Sequence, residues 1–103
     1  MLTEISAHDW KNNLRGYTAL FISSPFCQTC ALAEQMVEQA REIEAKTTIY
    51  KINLQLAPEI ATEYKVQSVP MLLLFYGHQL VARLSPLKHT GHILHFLINN
   101  RDE

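Results

Sequence analysis

The sequence predicts a single α/β domain spanning residues 1–103, with a central mixed β-sheet flanked by helices on both faces. Three observations carry that prediction. Apolar, β-branched and aromatic residues cluster in short runs from Tyr17 to Ile22, Thr48 to Asn53 and Met71 to Tyr76, the signature of strands. Segments with helical periodicity separate these runs, and strands alternating with helices imply parallel pairing and right-handed crossovers that cover both faces of the sheet. The 103 residues, 48% of them hydrophobic, are enough for one core without disulfide staples or a structural metal.

Leu2 to Ile5 reads as a short first strand. Ser6-Ala7-His8-Asp9 has the spacing of a capping box, a hydroxyl followed three residues later by a carboxylate. A short helix burying Trp10 and Leu14 should follow, stopped by Gly16. Tyr17 to Ile22 is apolar on both alternating faces, as in a central strand. Ser23-Ser24-Pro25-Phe26 is a turn signal leading straight into Cys27. The longest helix should run from Cys27 to about Lys46. In it Ala33, Met36, Val37 and Ala40 form one stripe that Ile43 extends, while Glu34, Glu38, Arg41 and Glu42 take the opposite face. Thr48 to Asn53 is the next strand, with Lys51 its one charged residue. Pro58 suits the first turn of a short helix to Tyr64. After Val69-Pro70 come the strand Met71 to Tyr76, a Gly77-His78 turn and a hairpin partner, Leu80 to Leu84, expected to be the antiparallel strand of the sheet. Ser85-Pro86 ends it. A last helix from about Thr90 to Asn100 carries Ile93, Phe96 and Leu97 on one stripe.

Charge excludes some functions. The formal net charge is −1 and charged residues make up 18% of the chain. With Lys and Arg scattered, there is no footprint for nucleic acid or an anionic membrane. No apolar run approaches the ~20 residues that a membrane helix requires. Met1 to Ile5 carries no secretory n-region and h-region, so the expected location is cytoplasmic. Only two cysteines are present, and a reducing compartment would hold them as thiols. That argues against a structural disulfide framework and raises a redox or metal role.

The chemistry centres on Cys27-Gln28-Thr29-Cys30, a C-x-x-C between a buried strand and a long helix. In the first turn of a helix, residues i and i+3 share a face, so the two sulfurs can reach bonding distance. The amino-terminal end of a helix favours an anionic sulfur, through unpaired N–H groups and the macrodipole. Cysteines in such settings titrate at roughly 3.5–7.5 instead of ~8.5. Cys27 therefore reads as the attacking thiolate. Cys30, one turn further in and more buried, reads as the resolving thiol.

At this point the chain resembles the thioredoxin family over nearly its whole length. The C-x-x-C follows the second strand and opens the second helix. Val69-Pro70 precedes a strand about forty residues later, and the strand, hairpin and final helix after it also match. The resemblance implies a thioredoxin-like fold and a thiol–disulfide oxidoreductase that reduces protein disulfides through a Cys27/Cys30 dithiol. It implies no cofactor beyond the redox-active Cys27-Cys30 disulfide. The implied partners are disulfide-containing protein substrates and a regenerating reductase, with neither nucleic acid nor membrane. Pro70 would be cis and lie against the sulfurs, and the Val69 backbone would pair with an extended substrate segment. Phe26, Gln28 and Thr29 would shape the site.

The chain departs from the family pattern in several places. Phe26-Cys27-Gln28-Thr29-Cys30 replaces the usual Trp-Cys-Gly-Pro-Cys. Phe21 stands where the family has a buried Asp, so proton transfer at Cys30 needs another route. Lys51 aligns with a family lysine near that Asp and becomes the candidate modulator of Cys30. The helix lacks the usual mid-helix proline, and Pro86 replaces a glycine often found beside the active site. These departures support an alternative, a binding adaptor or redox sensor with little turnover. His89, His92 and His95 are three apart, but nothing brings them to Cys27, and they read as surface residues and not metal ligands. Trp10 reads as core.

Overall fold

A computed structural model describes residues 2–101. Five strands form one sheet in the order β1-β3-β2-β4-β5. They are β1 (Thr3–Glu4), β2 (Tyr17–Ser23), β3 (Thr48–Asn53), β4 (Met71–Tyr76) and β5 (Gln79–Leu84), with helices α1 (Gln28–Ile43), α2 (Pro58–Tyr64) and α3 (Thr90–Asn99) between and after them. The thioredoxin-like α/β architecture predicted from sequence is present.

Side-chain alternation along the sheet splits the core in two. Ala19 and Phe21 of β2 face α1 and α3 together with Ile49, Leu72 and Leu74, and Val37, Ala40, Ile93 and Leu97 pack against them. Leu20 and Ile22 face the other way, with Ile52, Leu73 and Phe75, against Trp10 and Ile60 of α2. Trp10 is 2% exposed and stacks edgewise or tilted on Tyr64 and Phe75, so its core assignment holds. β2 and β4 are buried along almost their whole length, as strands covered on both faces must be.

The direction of β4 differs from expectation. β1, β3 and β2 run parallel, but β4 pairs antiparallel with β2, and β5 is antiparallel to β4. The strand that opposes the other four is therefore β4, not β5. The reason is length. A seven-residue α2 rises only about 10 Å at 1.5 Å per residue, while a six-residue strand covers about 20 Å. α2 by itself does not return the chain along the sheet, and β4 starts at the end where β2 finishes.

Three further boundaries move. The segment after the capping box is a 3₁₀ turn, Trp10–Asn13, not an α-helix. The Ser6 hydroxyl does accept from the Asp9 N–H at 3.1 Å, but the Asn13 side-chain amide donates to the Asp9 carbonyl at 2.9 Å, occupying the acceptor that an α-helical Asn13 N–H would use. α1 stops at Ile43 instead of Lys46. The next in-phase position of its buried stripe is Glu44, whose backbone is extended; its carboxylate pairs with Arg101 at 2.7 Å and accepts from the Lys46 N–H. Ile43, off that phase, is 67% exposed. A second 3₁₀ turn, Leu54–Leu56, leads from β3 into α2.

Candidate active site

β2 ends at Ser23, and a turn through Pro25 brings the chain to α1. The Ser24 hydroxyl accepts from the Phe26 N–H at 3.3 Å, and the Ser24 carbonyl accepts from the Cys27 N–H at 3.1 Å. These bonds fix Cys27 as the N-cap of α1, in extended backbone. Cys27 is half-buried and Cys30, one turn in, is 5% exposed, so the expected ranking of the two thiols holds. Their Cα atoms are 5.3 Å apart and the sulfurs are joined as a disulfide.

The antiparallel direction of β4 completes the site. Met71 of β4 lies opposite Ile22 of β2, so the residues before β4 arrive beside the turn that exposes Cys27. The Val69–Pro70 peptide is cis, as the resemblance implies; so is Ser85–Pro86, which the sequence did not signal. The Val69 carbonyl oxygen is 3.8 Å from Cys27 Sγ, a distance at which the reduced thiol can donate to it. On the other side, Thr29 Oγ1 is 3.4 Å from Cys27 Sγ. Gln28 and Thr29 are exposed. Phe26, beside the disulfide, is 81% exposed, which leaves most of an aromatic ring in water next to the sulfurs.

Lys51 is only partly exposed. Its Nζ lies 3.4 and 3.2 Å from the two carboxylate oxygens of Glu34, and the side chains are only 24% and 19% exposed. Glu34, assigned from sequence to the outer face of α1, is thus turned toward the sheet. Lys51 sits opposite Phe21 in the β2–β3 register, and Phe21 is fully buried. Glu34 and Lys51 line a cavity of about 300 Å³ together with Cys27 and Cys30. The signal for Glu34 was present in the sequence as its i+4 spacing from Cys30, but its partner is 17 residues away.

The family model described as Thioredoxin matches residues 3–99. The chain belongs to the thioredoxin family. Among its relatives is a thioredoxin-like protein, YusE of Bacillus subtilis (strain 168), 32% identical over 80% of this chain and 77% of that protein. Thioredoxin 1 of Nostoc sp. (strain PCC 7120) is 32% identical over 56% of this chain and 55% of its own length. A bifunctional thioredoxin reductase/thioredoxin of Mycobacterium leprae (strain TN) is 32% identical over 67% of this chain, and the match spans 15% of that protein. Membership in the thioredoxin family, with the Cys27–Cys30 disulfide, makes the chain a thiol–disulfide oxidoreductase.

Among the described residues, no group of three or more His, Cys, Asp or Glu side chains is placed to hold a metal ion. His89 instead caps α3, its Nδ1 accepting from the His92 N–H at 3.1 Å, and His95 approaches Asn99. No helix among the described residues is long and apolar enough to cross a membrane.

Proposed function

We propose that the protein is a cytoplasmic reductase of protein disulfides, re-reduced in each cycle by a separate disulfide reductase. The observation that carries this reading is the asymmetry of the pair: Cys27 accessible at the N-cap of a sixteen-residue helix, Cys30 buried one turn behind it. The helix end and the Thr29 hydroxyl favour a thiolate at Cys27. That thiolate attacks one sulfur of a substrate disulfide; the substrate S–S bond breaks and its electron pair leaves on the other substrate sulfur, which is protonated. Cys30 then loses its proton and attacks Cys27 Sγ. The mixed disulfide breaks, the second substrate thiol departs, and the Cys27–Cys30 disulfide remains. Two electrons have passed to the substrate, and an external dithiol returns them. The exposed Phe26 ring and the Val69–Pro70 backbone supply the contact surface for the substrate chain. The Mycobacterium leprae relative, a bifunctional thioredoxin reductase/thioredoxin, supports a partner of that class.

Reduction of insulin by dithiothreitol tests this. The wild type should accelerate precipitation of the insulin B chain, and Cys27→Ser should not. A wild type no faster than Cys27→Ser would overturn the reading in favour of an adaptor or sensor.

A further inference from the structure

Resolution of a mixed disulfide requires the Cys30 thiol to give up its proton before the sulfur attacks. Cys30 is 5% exposed, and a thiol in apolar surroundings holds its proton. At neutral pH a base within reach therefore controls this step. The sheet beneath α1 offers none from β2 or β4: Ala19, Phe21, Leu72 and Leu74 face it. The charged groups lie instead around the cavity behind the disulfide. Glu34 comes from α1 and Lys51 from β3, with Glu4 of β1 at the rim. Glu34 is one helical turn beyond Cys30 and on its face. Both of its carboxylate oxygens lie against Lys51 Nζ, at 3.4 and 3.2 Å, which holds the carboxylate in the cavity. The cavity, about 300 Å³, is lined by polar and apolar groups in about equal measure and has room for water to bridge Cys30 and Glu34.

We infer that Glu34 is the proton acceptor for Cys30 when the mixed disulfide resolves, with Lys51 as the residue that positions it. The inference rests on the dithiol reading of the pair. In the step, the Cys30 S–H bond breaks and its proton passes to the Glu34 carboxylate. The Cys30 sulfur bonds to Cys27 Sγ, the bond from Cys27 to the substrate sulfur breaks, and its electron pair leaves on the substrate. Glu34 then releases the proton to solvent or to the departing thiolate. In reduction by an external dithiol the proton runs the other way, from Glu34 to Cys30.

Stopped-flow reaction of the reduced protein with the aromatic disulfide DTNB separates the steps. Attack by Cys27 releases a first TNB anion, and attack by Cys30 on the resulting mixed disulfide releases a second. In Glu34→Gln the second phase should slow relative to the first by about a hundredfold or more at neutral pH, the scale of a lost general base. The deficit should narrow as pH rises through the alkaline range, where Cys30 loses its proton without a base beside it. In Lys51→Gln the carboxylate loses the partner that holds it in place, so the second phase should slow by less than in Glu34→Gln, while the first phase keeps its wild-type rate. Urea denaturation of each variant reports its stability separately. Equal second phases in wild type and Glu34→Gln, or one uniform slowing at every pH in both variants, would overturn the role of Glu34. A wild type that releases a single TNB would show that the pair itself does not cycle.

Discussion

Phe21→Asp would move a carboxylate to the position where the family pattern has one, and its cost can be worked from the packing. Phe21 is fully buried among Ala19, Leu72 and Leu74. Loss of a buried Phe ring costs about 3–5 kcal/mol. A carboxylate in the same place has its pKa raised by desolvation, and a rise of roughly three units corresponds to about 4 kcal/mol at neutral pH. Lys51, opposite Phe21 in the neighbouring strand, offsets part of this, but only by leaving Glu34. The total consumes most of the about 5–15 kcal/mol that holds a domain together. The sign of the pH dependence follows. The folded-state pKa of the new Asp lies above its ordinary ~3.9, so its penalty is absent below that value and grows as pH rises through the folded pKa. Urea denaturation of wild type and variant across a pH series should show a wide gap at neutral pH that narrows in acid toward the ring-loss cost alone. A gap below the ~3 kcal/mol floor of ring loss, or one independent of pH, would refute this account of why the carboxylate of this protein sits on α1.

Other consequences are equally direct. Thr29→Val removes the hydroxyl 3.4 Å from Cys27 Sγ; at about 0.5–1.5 kcal/mol for a hydrogen bond, the Cys27 thiol should titrate up to about one unit higher, measured by thiolate absorbance in the ultraviolet. Arg101→Met leaves the Glu44 carboxylate buried without its 2.7 Å partner, the pair being less than a tenth exposed. That should cost about 3–5 kcal/mol, and the double variant Glu44→Gln/Arg101→Met should cost less, both read from urea midpoints. Burial, with the neighbouring Glu63 carboxylate, raises the Tyr64 pKa above 10.0. The contribution of Tyr64 to stability is therefore fully present below pH 10.0 and lost as pH climbs through the folded pKa. Wild type should then lose stability more steeply above that point than Tyr64→Phe, measured by thermal unfolding.

The parts of the fold legible in the sequence are those written in local patterns. Periodicity located β2, β3, β4 and α3, and Pro58 marked the start of α2. The C-x-x-C after a buried strand located both sulfurs and ranked their burial. Long-range features were not legible. The direction of β4 depends on where a seven-residue helix leaves the chain, not on the residues of β4. The end of α1 depends on Arg101, far along the chain from Glu44. Glu34 was assigned to solvent because a charged residue on a helix face normally is solvated, and only the Lys51 ammonium across the α1–β3 contact draws it inward. The 3₁₀ turn at Trp10–Asn13 defeated the capping-box signal because one Asn side chain competes for a helical acceptor.

The two rims of the sheet have a consequence for solubility. A long, flat edge strand is a template on which another chain can add by backbone pairing. Here one rim is β1, only two residues long, and the other, β5, is broken by an irregularity opposite Leu74 and Phe75. Neither rim offers a continuous ladder of donors and acceptors, so sheet-to-sheet aggregation is disfavoured at both ends. On the proposed function, the surface left open to a foreign polypeptide is instead the exposed ring of Phe26 beside the disulfide.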